Sequence, residues 1–287
     1  MGIKRILIKI RFKLKPVISK FYTELIKDDF FERFCKNQKI VDALTTLKII
    51  ENKILNDERG VYMRFGDGDV FLLNKKSDML QEPNDELSVE MREAFEINGT
   101  GVMKCLAIHS RLYGFDHGMS YGNHLNNDAF AKKLFRQTFL YFVGSQIYSP
   151  VALHYASTEN VGLANTFLRV LKGKTKLFIG NESIDDKTLD LIFGTKSHIK
   201  TPTKNAYDQI DRIFDEAKNE ISKFDDYGVV CVAMGCSGRP LMKRIYKEGF
   251  QIFIFDFGSL LDGIDGNQSR TWLKKNNIDY KKLLKDL

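Results

Sequence analysis

Two carboxylates separated by a single glycine stand in the segment Arg64-Phe65-Gly66-Asp67-Gly68-Asp69. On an extended chain, residues i and i+2 project to the same side, so Asp67 and Asp69 are candidates to converge on one hard cation. Oxygen ligands of this kind suit Mg²⁺ or Mn²⁺, which in turn bridge the oxygens of a diphosphate. Arg64 offers a planar fork that matches either a carboxylate or a phosphate. A plain Asp-Gly turn after a strand has the same composition, so the surroundings of the segment must decide between the two.

Further groups of the same chemical character follow. In Met234-Gly235-Cys236-Ser237-Gly238-Arg239-Pro240 the glycines let backbone approach a phosphate. Ser237 can cap the helix that begins near Leu241, and the free N–H groups of a helix start attract an anion. The same residues also make an ordinary tight connection. Asp256 ends the next apolar run, before Phe257-Gly258-Ser259 and then Asp262 and Asp265. A carboxylate at a strand end binds metal, orients a sugar hydroxyl or acts as a base, whereas Asp262 and Asp265 also read as solvated loop acids. Asn181 and Asn205 each follow a short apolar run and carry amides that read a base or a sugar as readily as they cap a turn. The stretch 108–127 gathers His109, Arg111, Tyr113, His117, Tyr121 and His124, an aromatic loop suited to an acceptor. Its histidine spacings of 8 and 7 residues make no metal template.

These side chains need a scaffold that brings the ends of distant segments together. Short apolar runs at 61–65, 102–107, 140–143, 176–179, 229–233 and 251–255, with a shorter one at 198–200, have the character of buried strands. Helical periodicity recurs between them near 84–97, 126–138, 158–172, 186–194, 204–223 and 239–248. The alternation predicts an α/β fold with a mostly parallel sheet flanked by helices, and such sheets bind ligands beyond the carboxyl ends of their strands. Upstream, the spacing of Phe30, Phe31, Phe34, Ile40, Leu44, Leu47 and Ile50 is helical. It suggests a helical lead-in over 1–56 and a main domain over 57–287.

A chain of 287 residues with 43% hydrophobic content can bury a large core. Its 44 Lys and Arg against 37 Asp and Glu suggest an anionic partner. The cations cluster at the two ends rather than among stacking aromatics, which argues against nucleic acid. Residues 1–27 carry Lys4, Arg5, Lys9, Arg11, Lys13, Lys15 and Lys20 before the first acid, Glu24, interleaved with Ile, Leu and Phe. That composition suits a helix lying on an anionic membrane surface, or a solvated helix packing one face. No apolar run approaches the roughly 18 residues of a spanning helix, and no signal-peptide core is present. Cys35, Cys105, Cys231 and Cys236 form no CxxC pair and read as thiols of a reducing compartment. The expected location is therefore cytoplasmic, with peripheral contact to the inner face of the membrane.

The order of the motifs resembles the GT-D-type glycosyltransferases, a family once known only as a domain of unknown function. Their Arg-aromatic-Gly-Asp-Gly-acid segment is matched at 64–69 and is followed by Gln81 and Leu87. A Ser/Arg-Pro element is matched by Tyr148-Ser149-Pro150, a Gly-Asn pair by Gly180-Asn181, and a Pro-x-x-Asn-Ala-aromatic element by 202–207. A glycine-containing loop follows around Gly235, then an Asp-aliphatic-Gly turn at Asp256-Phe257-Gly258, so that the ordered match covers about residues 58–272. The resemblance implies a Rossmann-like fold of GT-D type, a nucleotide-sugar donor (a UDP-sugar first) and a divalent metal, Mn²⁺ or Mg²⁺, on Asp67 and Asp69. It implies donor contacts from Arg64, Gly66, Gly68, Asn181, Asn205, Gly235 and Ser237. Two departures stand out: Asp69 where the family usually has Glu, and Ser259 where a His often follows the turn. A base would then be Asp256 or Asp262, or is absent. The implied reaction moves a sugar from a nucleoside diphosphate to a hydroxyl of a glycan or lipid-linked acceptor, as in bacterial surface polysaccharide or glycoconjugate synthesis. The same acids and glycine loop would also serve a metal-dependent nucleotidyltransferase or phosphohydrolase, or a non-catalytic nucleotide-binding module.

Overall fold

A computed structural model of the chain describes Arg33 and residues 37–106, 128–144, 146–268 and 270–287. The basic segment 1–27, Cys35 and the His-rich stretch 108–127 lie outside the described residues. The strands are β1 (Lys39–Ile40), β2 (Gly60–Arg64), β3 (Val102–Cys105), β4 (Gln146–Ile147), β5 (Thr175–Asn181), β6 (His198–Thr201), β7 (Gly228–Ala233) and β8 (Ile252–Asp256). β1 pairs with β4, and the other six form a parallel sheet in the order β3-β2-β8-β7-β5-β6. β7 and β8 are nearly unbroken apolar runs because both faces of the sheet are covered.

The helices are α1 (Ala43–Leu55), α2 (Asp67–Leu73), α3 (Asp85–Glu96), α4 (Asp128–Thr138), α5 (Ala152–Glu159), α6 (Val161–Lys174), α7 (Asp186–Phe193), α8 (Ile210–Ile221), α9 (Gly238–Lys247), α10 (Leu260–Ile264), α11 (Thr271–Lys275) and α12 (Tyr280–Leu283). They pack in two groups: α2 on α3, α3 on α9 and α9 on α8 in one, and α1, α5, α7 and α12 around α6 in the other. Asp42, Asn84, Asn160 and Asp185 start α1, α3, α6 and α7 by accepting a backbone N–H of the first turn, each such cap contributing about 1 kcal/mol. Ala43, Leu47, Ile50 and Ile54 of α1 are fully buried in the same core as the strands. No helix among the described residues is long and apolar enough to cross a membrane.

Three local expectations change. The run 140–143 is not a strand: α4 ends at Thr138, whose carbonyl accepts the N–H groups of Tyr141 and Phe142. Those two rings are buried from a turn, so the apolar run reflects packing rather than a ladder. The helix expected over 158–172 is two helices, broken at Asn160, which closes α5 and caps α6. Finally, α2 and α10 lie where periodicity predicts no helix, since 7 and 5 residues give too few turns for the pattern to show.

Candidate active site

The site forms where β2, β8 and β7, neighbours in the middle of the sheet, release their chains at the carboxyl edge. After β2 the buried Phe65 ring stacks on Phe95 of α3, with centroids 4.0 Å apart, and anchors the turn into α2. Gly66 is the N-cap, and Asp69 reaches back to accept its N–H at 2.7 Å, as the third residue of a capping box does. Two acids in the first turn also suit the positive end of the helix. The local conformation is therefore helical, not the extended one predicted. At 3.6 residues per turn, i and i+2 point about 200° apart, so the two acids diverge. Asp67 is half-buried and Asp69 is only 1% exposed. Gly68 between them passes under the neighbouring loops: a Cβ there would lie 2.9 Å from Cys236 Sγ and 3.0 Å from Asp78 Cγ.

Asp69 faces Arg239, in the first turn of α9. The Arg239 Nε is 3.2 Å from Asp69 Oδ1, its Nη1 is 2.8 Å from Asp256 Oδ2, and Nη1 also donates to the Gly235 carbonyl at 2.9 Å. Arg64 approaches Asp256 from the other side, Nη1 to Oδ1 at 3.9 Å, and donates to the carbonyls of Phe257 at 3.3 Å and of Pro150. Tyr62 donates to the Ser149 carbonyl at 2.6 Å, so the Ser149-Pro150 element serves β2 through its backbone. The Arg64 guanidinium lies across Gly258, whose φ of +71° and lack of a Cβ make room for it. Burial pushes the Asp69 carboxyl up to about 6, against the pull of Arg239. Desolvation works against the Arg239 charge, but Asp256 and Asp69 together hold its pKa above the ordinary range. Two guanidiniums thus face two carboxylates in a nearly dry setting, a charge-balanced group.

A second set of contacts ties three loops together. Gln81 is buried, and its Oε1 accepts from the Ser237 hydroxyl at 2.8 Å and from the Tyr207 backbone N–H at 3.1 Å. Asn205 sits at φ 54°, donates its N–H to the Leu80 carbonyl at 2.8 Å and accepts from Glu82 N–H at 2.9 Å. Asn181 Oδ1 accepts from Ser183 N–H at 3.0 Å and Thr203 Oγ1 at 3.1 Å. Cys236 donates its thiol to Asp78 Oδ2 at 3.4 Å.

The candidates named from the sequence therefore fall into groups. Asp69, Asp256 and the Gly235 carbonyl meet through Arg239, Arg64 joins through Asp256, and Gly66, Asp67 and Gly68 adjoin them at the start of α2. Ser237 joins through Gln81, while Asn181 ends β5 and Asn205 follows β6, with their Oδ1 atoms holding loop backbone and Thr203. Asp262 stands outside this group, on α10, with Arg270 Nε 3.9 Å away. Asp265 Oδ1 accepts from Asp185 N–H at 3.2 Å and Thr188 Oγ1 at 2.6 Å, a purely local clamp. Arg239 and Asp78 are the site residues that sequence reasoning passes over. Arg239 carried one legible signal, its place in the first turn after a glycine loop.

A family model described as the glycosyltransferase GT-D fold matches residues 62–265. The chain belongs to this family. Three solved structures share the fold. A glycosyltransferase of domain of unknown function 1792 from Streptococcus sanguinis is 18% identical, with a TM-score of 0.58 over 87% of this chain and 93% of that one. Two further structures of domain of unknown function 1792, one described as having a distinct glycosyltransferase fold, are 17% and 16% identical at a TM-score of 0.59. Each covers 88% of this chain, over 92% and 90% of its own. No curated protein matches the chain.

Within this GT-D frame two positions bear on the chemistry. Where the family often carries His after the Asp-x-Gly turn, Ser259 accepts from Trp272 Nε1 at 2.9 Å and belongs to the packing of α11. Among the described residues, no three His, Cys, Asp or Glu side chains gather into a metal cage. Asp67, half-buried in the first turn of α2, offers one carboxylate, which would suit a cation drawing its other ligands from a diphosphate and water, as Mg²⁺ commonly does.

Proposed function

We propose that this GT-D protein transfers a sugar from a nucleoside-diphosphate donor, a UDP-sugar first, to a hydroxyl of a glycan or lipid-linked acceptor in bacterial surface polysaccharide or glycoconjugate synthesis. The observation that carries the proposal is the meeting of three features at the carboxyl edge of β2, β7 and β8: the half-buried Asp67, the charge-balanced group around Arg239, and the Gly235–Ser237 turn leading into α9. Departure of the diphosphate puts negative charge on its oxygens. Backbone N–H groups at the start of α9 and the positive end of that helix would receive it. A divalent metal, Mn²⁺ or Mg²⁺, held by Asp67 would add electrostatic stabilisation of the same charge. Asn181 and Asn205, on neighbouring loops, would contact the base or sugar of the donor.

For the acceptor's proton, exposure favours Asp262, although it stands outside the group around Arg239, over Asp256. Asp256 is only 4% exposed and clasped by Arg239 and Arg64. Asp262 keeps 32% of its side chain exposed, and burial raises its carboxyl above the ordinary range, the direction a general base at neutral pH requires. The basic segment 1–27 would bring the enzyme to the cytoplasmic face of the membrane, where a lipid-linked acceptor resides. Incubation with a panel of nucleotide sugars and Mn²⁺ tests the reading. Release of nucleoside diphosphate is expected. Release of nucleoside monophosphate or inorganic phosphate instead would assign the site to a nucleotidyltransferase or phosphohydrolase.

A further inference from the structure

We infer that Asp69 is the buried counter-ion of Arg239 and takes no metal or phosphate, and that Arg239 is the residue that positions the loop after β7 beside Asp67. The first half follows from direction and reach. Asp69 leaves α2 about 200° away from Asp67, is 1% exposed, and has its two oxygens turned to the Gly66 N–H and to Arg239. Its single methylene gives it no second place to go. Turning it toward a cation near Asp67 would break the capping contact of α2 and leave a guanidinium with 11% side-chain exposure short of one of its two anions, a costly arrangement in a dry setting.

The second half follows from what Arg239 joins. One planar side chain touches an acid from the first turn of α2, an acid from the end of β8 and the carbonyl of Gly235. Gly235 has a φ of +59° and nothing within 4 Å of where a Cβ would be, while Met234 and Ser237 near it are buried. Arg239 adds a polar hold on the Gly235 carbonyl, and Gln81 one on the Ser237 hydroxyl. A lysine keeps the charge but gathers it on one compact ammonium without the planar fork, so it does not reproduce the separate contacts of Nε to Asp69 and of Nη1 to Asp256 and Gly235.

A double-mutant cycle on unfolding tests the pairing without reference to donor or metal. Arg239→Met is expected to lower the unfolding midpoint by on the order of 10 °C, because buried Asp69 loses its cation and Asp256 the nearer of its two. Adding Asp69→Asn is expected to recover at least half of that loss, whereas additive effects would overturn the pairing. Free Mn²⁺, followed by its electron paramagnetic resonance signal in the presence of UDP, tests the division of labour. Asp69→Asn is expected to bind Mn²⁺ like the parent, and Asp67→Asn at least about tenfold more weakly. A folded Asp69→Asn protein that loses Mn²⁺ as completely as Asp67→Asn would overturn the inference. Arg239→Lys tests the positioning role: the variant is expected to stay folded and to lose about tenfold or more in UDP affinity, and unchanged affinity would remove that role. The metal and UDP arms rest on the proposed donor. If the parent chain turns over no nucleotide sugar, that reading fails while the stability cycle still decides the pairing.

Discussion

At the first turn of α2 a carboxylate lies beside the helix's positive end and, at Asp67, is left half-buried. That combination suits a group meant to meet an ion from solvent. Asp67→Asn preserves size and the hydrogen bond to the Gly68 N–H while removing the charge. Turnover of nucleotide sugar, read as nucleoside diphosphate released, is expected to fall by about 10²–10³-fold with the circular dichroism spectrum unchanged. A variant that turns over like the parent would remove Asp67 from the site. The composition of residues 64–69 pointed to this place, but the side-chain directions could not be read from it. Whether i and i+2 converge depends on extended or helical backbone, and seven residues of helix carry no period. Arg239 was hidden for a related reason, because its partners come from the first turn of α2 and the end of β8, and pairs so distant in sequence leave no local pattern.

Three loops between elements are tied to one another by side-chain hydrogen bonds, and Gln81 is where they meet. Gln81→Ala leaves the Ser237 hydroxyl and Tyr207 N–H without their buried acceptor, at a cost of about 1–3 kcal/mol. Urea unfolding should register this as a lower midpoint. At the sheet edge, β3 carries a buried ammonium: Lys104 donates to the carbonyls of Phe95 at 2.8 Å and Val143 at 2.6 Å, and faces the Phe142 ring. Burial lowers its pKa to about 7, with Glu96 pulling weakly the other way. In the unfolded chain the same lysine keeps its proton until about pH 10.4. Between these values the unfolded state holds the extra proton, so raising the pH stabilises the folded state, by up to about 1.4 kcal/mol per pH unit. Below about pH 7 both states are charged and the contribution is flat. Lys104→Met should abolish this slope, which thermal unfolding of both proteins from pH 6 to pH 10 would measure. A parallel pH dependence in parent and variant would exclude Lys104 as its source. The buried strands were legible because they are covered on both faces and therefore apolar throughout. The stretch 140–143 failed because a turn that buries Tyr141 and Phe142 has the same composition.

For the whole molecule, the alternation of strands and helices predicted that the candidate groups gather at one sheet edge, and Arg64, Asp256 and the loop after β7 come together there. Charge distribution adds a separate argument. Of the net charge of +7, residues 1–27 supply a dense share, with seven cations through Lys20 before any acid. Each cation near an anionic bilayer contributes about 1 kcal/mol, within a reach of about 8 Å at physiological ionic strength. The interleaved Ile, Leu and Phe add apolar contact where the charges draw the segment down. The full chain is therefore expected to sediment with vesicles rich in phosphatidylglycerol, to be released by high salt, and to ignore vesicles of phosphatidylcholine. A chain beginning at residue 28 should stay in the supernatant with all vesicles and retain donor turnover with a water-soluble acceptor, since the groups of the site begin at Arg64. Equal sedimentation of the two forms would separate membrane contact from the basic segment and place it elsewhere on the surface.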